Sequence, residues 1–241
     1  MILAVDIGNT RISFALVKNN KVFCVESIET KEINNIPKVL KRFSKNVLDK
    51  AVICSVVPKM NNKIIKEIKK ICRVDAKLAG PDIKVPIRNN YKKPKQVGAD
   101  RLTCAFAAKE IYGYPSVVID FGTAITFDII SKDGSYEGGM IIPGIRLSLE
   151  SLHNKTALLP KIENIAIPKH LIGKETKESI LSGVFNGYGE MCNGLVNLLS
   201  KRIGGKPKFI LTGGYANLMA KYIKTKCIVD KELIFKGMGR L

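Results

Sequence analysis

The sequence is short of the side chains that metal clusters need, and it has no stretch that a bilayer needs. It holds only two histidines, His153 and His170, too few to complete a zinc site with the cysteines available. No run approaches the roughly 18 apolar residues of a membrane span. Six cysteines occur (Cys24, Cys54, Cys72, Cys104, Cys192 and Cys227), none at CxxC spacing. Most lie in apolar runs such as VICSVV and are expected to be reduced, buried core residues rather than disulfides. Arginine is scarce as well, with eight among 40 basic residues, and arginine dominates specific base readout. The opening MILAVDIGNT reads as a strand and a polar turn, not as a charged-then-apolar leader. A cytoplasmic location is expected.

What the chain does have is length, apolar content and lysine. Its 241 residues are 46% hydrophobic, enough for one large domain or two small ones with their own cores. Against the 40 basic residues stand 21 acidic ones, a formal charge of +19. The lysines are spread along the chain, for example Lys63, Lys66, Lys69 and Lys70 on the outer side of one predicted helix. Together with abundant Ile and Asn, this points to a solvated basic surface and not to a nucleic-acid partner. An anionic substrate such as a nucleotide benefits from such a field.

Along the chain, ILAVDI, RISFALVK and KVFCVES read as three short strands with turns at Gly8-Asn9 and Asn19-Asn20. A helix is expected over 34–46, then the buried strand AVICSVV, then a helix from Lys59 whose Ile64, Ile65, Ile68 and Ile71 share one stripe. A loop with Pro81, Pro86 and Pro94 leads to a helix starting near Gly98. The pattern then begins again: SVVIDFGTAITFDII and a strand through Gly138-Gly139-Met140 form a second meander. A long helix follows at about 177–200, and KFILTGGYANLMAKYI closes as strand, glycine turn and helix.

That restart is the main organisational fact. Asp6 and Gly8 in VDIGNT match Asp120 and Gly122 in IDFGTA, a repeat of domain length that predicts two similarly folded halves, 1–112 and 113–241. No linker-like composition separates them, and a shared ligand cleft is expected. In each half a strand ends in a tight turn whose glycine lets backbone approach a ligand. Backbone N–H groups and the Thr10 or Thr123 hydroxyl can then donate to phosphate oxygens, and Asp6 can hold Mg²⁺ directly or through water. One such turn is an ordinary hairpin; two at domain spacing point to a phosphate clamp. The glycine turn Leu211-Thr212-Gly213-Gly214 could seat an adenosine. Asp100, in the first turn of its helix, is suited to orient a hydroxyl nucleophile and take its proton, although Asp is equally at home there as a capping residue.

With these residues in view, the chain resembles the ATPase fold of actin, sugar kinases and chaperone ATPases. More specifically, it resembles a type III pantothenate kinase over nearly its whole length. The resemblance rests on DIGNTRISFAL (6–16), CSVVP (54–58), YKKPKQVGADR (91–101), DFGTAITFD (120–128), GGMIIPGIRLSLESL (138–152), TALLP (156–160), TKESILSG (176–183) and LTGGYA (211–216). It implies an α/β fold of two ribonuclease H-like, actin-like domains, with mixed five-stranded sheets flanked by helices and a cleft between them. It implies ATP-dependent phosphorylation of pantothenate, the first step of coenzyme A synthesis, with Asp100 as general base. ATP would be held by Asp6, Ile7, Gly8, Asn9, Thr10, Arg11, Ile12 and Ser13 and by Gly122 and Thr123. Pantothenate would be held by Tyr91, Gly98, Ala99, Asp100, Arg101 and Thr176, with the Arg101 fork on its carboxylate. The resemblance further implies Mg²⁺ at Asp6, potassium or ammonium at Asp120, and a homodimer. From residue type alone Tyr91 is a loop aromatic, Arg101 a domain-bridging ion pair and Thr176 a helix N-cap. Another small-molecule kinase on this fold, or a non-catalytic regulatory or nucleic-acid-binding relative, are the alternatives.

Overall fold

The computed structural model describes residues 1–241, which divide into two compact units. Met1–Tyr112 with Glu232–Leu241 form the first, and Gly113–Lys231 the second.

The first unit opens with β1 (Ile2–Ile7), β2 (Arg11–Lys18) and β3 (Lys21–Glu29), an antiparallel meander. A 3₁₀ turn over Thr30–Asn35 leads to α1 (Ile36–Phe43), then β4 (Lys50–Ser55), α2 (Pro58–Cys72), β5 (Ala76–Leu78) and α3 (Ala99–Tyr112). The expected helix over 34–46 is thus shorter, because its start is wound as 3₁₀. β4 runs parallel to β1 and β5 parallel to β4, in the sheet order β3-β2-β1-β4-β5. Pro58 starts α2 at a position whose N–H has no partner within the helix. The helix stops where Arg73 turns left-handed at φ 59°.

Strand alternation divides this sheet into two faces. Leu3, Val5, Ile7, Phe14, Leu16 and Ile53 pack beneath α1 and α2 with Leu40, Phe43, Ile64 and Ile68, and the partly buried Ile65 and Ile71 complete that layer. Ala4, Ala15, Val17, Val52 and Cys54 face the other way. They meet Phe235 and Met238 of the last helix, α7 (Leu233–Met238). Small residues make this return of the chain possible: a Cβ on Gly237 would lie 2.7 Å from the Thr103 carbonyl oxygen of α3. A division of the chain at a single point therefore leaves out the ten terminal residues that come back to the first unit.

The second unit repeats the plan. β6 (Ser116–Phe121), β7 (Ala124–Ile130) and β8 (Tyr136–Pro143) form the meander, followed by α4 (Ile145–Lys155), α5 (Thr176–Ile203), β9 (Lys208–Thr212), α6 (Ala216–Met219) and β10 (Cys227–Val229). Its sheet order is β10-β9-β6-β7-β8, with β9 parallel to both β6 and β10. Val117, Ile119, Phe121, Ile125, Phe127, Phe209 and Leu211 pack against Leu149, Phe185, Cys192, Val196 and Met219 of the covering helices. Each unit is thus one mixed five-stranded sheet flanked by helices. No helix is long and apolar enough to cross a membrane.

All six cysteines are free thiols. Cys54, Cys104 and Cys192 are buried as expected, and Cys24 is not. It sits at φ 51° beside the register shift in the β2–β3 pairing, where a bulge turns its side chain to solvent.

Candidate active site

In the first unit the candidate residues gather at the carboxyl ends of β1 and β4. Asp6 pairs in register with Ser13 on β2 and with Cys54 on β4, and it shares a face with Ala4 two residues before it. The turn beyond it is closed by the Gly8 N–H donating to the Arg11 carbonyl at 2.9 Å. A Cβ on Gly8 would lie 3.1 Å from that same oxygen. Asn9, Thr10 and Arg11 are exposed, whereas Ile7 and Ile12 are core residues behind the turn and Ser13 is half-buried. Ile7 and Ile12 therefore support the turn from below, and only their backbone is available to a ligand.

Sequence reasoning missed the residue that braces this turn. Thr30 is buried; its hydroxyl donates to the Gly8 carbonyl at 2.8 Å, and its N–H donates to the Thr10 carbonyl at 2.9 Å. With two carbonyls engaged by Thr30 and the Gly8 N–H engaged by Arg11, the loop is pinned in one conformation. The bond joins residues 22 apart, so no local pattern announces it.

Asp100 enters from α3. One turn further along that helix, Thr103 lies 3.9 Å from the Cys54 sulfur through its hydroxyl. Residues three apart share a helix face, so Asp100 faces the same strand ends. The electrostatics agree: burial pushes the Cys54 thiol well up, and the Asp6 and Asp100 carboxylates push it further. Strand register sets Asp6 beside Cys54, and α3 meets the same residue through Thr103, so both aspartates belong to this end of the sheet. Gly98 leaves room for this arrangement, since a Cβ there would collide with the Asp100 Oδ1 and lie 3.9 Å from Val56. The same Oδ1 accepts the Arg101 N–H at 2.8 Å. Ala99 packs on the core face and Arg101 is half-buried. Tyr91, also half-buried, sits in a loop shaped by Asn89. The Asn89 side chain accepts the Tyr91 N–H at 3.0 Å and donates to the Pro94 carbonyl at 3.4 Å.

In the second unit Asp120, next to last in β6, is in register with Thr126 on β7 and Thr212 on β9. Two glycines border its carboxylate. A Cβ on Gly122 would lie 3.3 Å from Oδ1, and one on Gly213 would collide with it. Gly213 holds φ +88°, a conformation that L side chains rarely adopt. The Tyr215 N–H donates to the Phe121 carbonyl at 3.2 Å and the Gly144 N–H to the Thr123 carbonyl at 3.0 Å, which fixes the turn from two sides. Thr123 itself is exposed. Thr176 is the first residue of α5, exposed and capping nothing; Glu175 holds the N-cap position, so the expectation of Thr176 as a side-chain cap is corrected. The segment before it is fastened to α5 by the Lys174 N–H to the Glu178 carboxylate at 3.1 Å and by the Ser182 hydroxyl to the Leu171 carbonyl.

No group of three or more His, Cys, Asp or Glu side chains is gathered to hold a metal. A cation at either turn would therefore have at most two such side chains, completed by backbone carbonyls, water or the oxygens of a phosphate. This is the donor set of hard cations held with a nucleotide rather than of a metal cage. The glycine-bordered carboxylate of Asp120 leaves space for such a ligand. Asp6, beside a turn whose Asn9 and Thr10 are exposed, fits a cation bound together with phosphate.

Comparison with known proteins gives the family. The family model described as type III pantothenate kinase matches residues 2–198. A type III pantothenate kinase of Persephonella marina is 40% identical over 249 residues, covering 99% of this chain and 96% of its own length. Among solved structures, a conserved Campylobacter jejuni protein described as a Baf family transcriptional activator is 26% identical with a TM-score of 0.61, covering 99% and 96% of the two chains. The activator of 2-hydroxyisocaproyl-CoA dehydratase from Clostridium difficile, solved with bound ADPNP, superposes with a TM-score of 0.55 at 17% identity, covering 99% and 91%. The last shares the actin-like ATPase fold alone. The chain belongs to the type III pantothenate kinase family.

Proposed function

We propose that this chain transfers the γ-phosphoryl group of ATP to the primary hydroxyl of pantothenate, giving 4'-phosphopantothenate and ADP, the first step of coenzyme A biosynthesis. The observation that carries this reading is the convergence on Cys54 of Asp6, its register partner on β1, and of the α3 face that holds Asp100 and Thr103, in a member of this family. One carboxylate stands at a phosphate-binding turn and the other at a helix start, the two charges a hydroxyl phosphorylation needs close together. Asp100 accepts the proton as the hydroxyl oxygen bonds to phosphorus, and the bond from phosphorus to the β-phosphate oxygen breaks as ADP leaves.

The backbone of the turn from Gly8 to Arg11 lies against the phosphates, with the N–H groups of Asn9 and Thr10, the Thr10 hydroxyl, Gly122 and Thr123 as donors and Ile7, Ile12 and Ser13 shaping the first turn. Asp6 would hold Mg²⁺, and Asp120 a potassium or ammonium ion; such cations reduce repulsion among the phosphate oxygens. Tyr91, Gly98, Ala99, Arg101 and Thr176 position pantothenate, Arg101 through its carboxylate. The enzyme works as a homodimer in the cytoplasm in this reading, with Thr176 serving across the dimer. The Campylobacter neighbour favours a regulatory role as the second reading, and the presence of all three aspartates favours catalysis.

The test is a substrate panel with ATP consumption and product mass as readouts. Pantothenate-dependent ADP release with a product 80 Da heavier than pantothenate is expected. Turnover of another alcohol with pantothenate inert overturns the assignment.

A further inference from the structure

The fold concentrates charge that the sequence leaves dispersed. The first unit has 25 basic and 11 acidic residues, a net +14; the second has 15 and 10, a net +5. Within the first unit the excess lies on one layer. α1 and α2 pack side by side on the same sheet face, and their outer surface presents Lys38, Lys41, Arg42, Lys45, Lys59, Lys63, Lys66, Lys69, Lys70 and Arg73, all exposed. Only two of these ten make an ion pair: Arg42 with Glu26 and Lys69 with Asp75, each at 2.6 Å. Glu67 is the sole acidic residue within either helix. By contrast the 28 residues of α5 hold three basic side chains, Lys177, Lys201 and Arg202, against Glu178 and Glu190.

We propose that the α1–α2 face binds the phosphate backbone of a nucleic-acid duplex without reading its sequence. The lysine stripe of α2 is about 20 Å long at about 1.5 Å per residue, and faces about six phosphates of one strand at about 3.4 Å each. Eight of the ten side chains are lysine and two arginine, a composition for point-charge contacts with phosphate rather than bidentate base readout. The face carries no exposed large apolar side chain on either helix, so it has no means to stack on bases or to enter a bilayer. This function is separate from phosphoryl transfer, because none of the ten residues belongs to either aspartate turn.

The experiment measures binding of the full chain to 30-base-pair DNA and RNA duplexes of unrelated sequence across salt concentration. The variants are Lys59→Gln/Lys66→Gln/Lys70→Gln and, as a charge-matched control in the second unit, Lys169→Gln/Lys221→Gln/Lys226→Gln. For the α2 variant we expect a slope of log affinity against log salt smaller by about 0.9 per lost phosphate contact, up to about 2.7, and affinity at least about tenfold lower at low salt. The control variant and every sequence within one duplex type should behave as the wild type, and kinase turnover should be unchanged in both variants. Retention by DNA, RNA or both identifies the source of the phosphate. Equal losses in the two variants, absence of duplex binding at 50 mM salt, or tighter retention on phosphatidylserine vesicles overturns the proposal.

Discussion

The two units share one topology and differ at the ends of matching strands. Cys54 of β4 pairs with Asp6 as Thr212 of β9 pairs with Asp120. One residue beyond, the first unit has Ser55 and the second has Gly213. Ser55 ties down its own connection, donating to the Asn61 side chain at 2.6 Å and accepting the Val57 N–H at 3.1 Å. Gly213 instead brings bare backbone against the Asp120 carboxylate. The first unit therefore surrounds its aspartate with side chains, a buried thiol and a second carboxylate from α3. The second borders its aspartate with two glycines, Gly122 and Gly213. In the proposed reaction the same plan serves proton transfer in one unit and ion binding in the other.

The largest effect that separates the units is expected at Asp100, which the second unit lacks in any equivalent form. Asp100→Asn should keep its melting temperature and ATP binding while turnover falls about 10²- to 10⁴-fold, the usual worth of a positioned base. Wild-type-like turnover would leave the two units without that distinction.

Next comes Gly213→Ala, which forces a Cβ into the Asp120 carboxylate and the Phe121 backbone at a positive φ. A loss of about 1–3 kcal/mol in unfolding free energy is expected, read by denaturant titration. Ser55→Ala at the matching place should cost about 0.5–1.5 kcal/mol, as for one hydrogen-bonded hydroxyl.

Thr30→Val removes the side-chain half of the brace and frees the Gly8 carbonyl, while the backbone bond to the Thr10 carbonyl remains. Here we expect a several-fold rise in the KM for ATP, with about 1 kcal/mol of stability lost; an unchanged KM would show that the turn holds its shape unaided.

The smallest expected effect is a dependence on alkaline pH. Burial raises the Cys192 thiol from 9.0 to about 12, and burial with Asp6 and Asp100 raises that of Cys54 well above 9.0. Below pH 9 both thiols stay protonated in folded and unfolded chains, and their contribution is fully present. Above it the unfolded chain loses protons that the folded one keeps, so stability falls as pH rises toward the folded values. Cys192→Ala should flatten the decline in melting temperature between pH 9 and 11 relative to wild type.

How much of this was legible beforehand depends on the range over which each feature is encoded. The meanders, α2 with its isoleucine stripe, and α5 announce themselves by period, because one face of each is buried along several turns or strand pairs. The three-residue edge strands β5 and β10 are too short to show alternation. α7 is six residues long and owes its place to the unit it returns to, not to its neighbours in sequence. At the site, the two aspartate turns were visible as a repeat. The approach of Asp6 to Asp100 depends on strand register plus a helix entering 94 positions later, and the brace from Thr30 on a hydrogen bond across 22 residues. The lysines were counted correctly as dispersed in sequence. Their gathering on one layer follows from α1 and α2 lying side by side, which composition does not encode.

The division of labour between the aspartates is tested most directly by turnover measured against potassium and against magnesium, for wild type, Asp6→Asn and Asp120→Asn. Asp120→Asn should lose activation by potassium while its magnesium dependence stays near wild type, and Asp6→Asn should need far more magnesium yet still respond to potassium. The reverse pattern, or equal loss of both responses in both variants, would contradict the account.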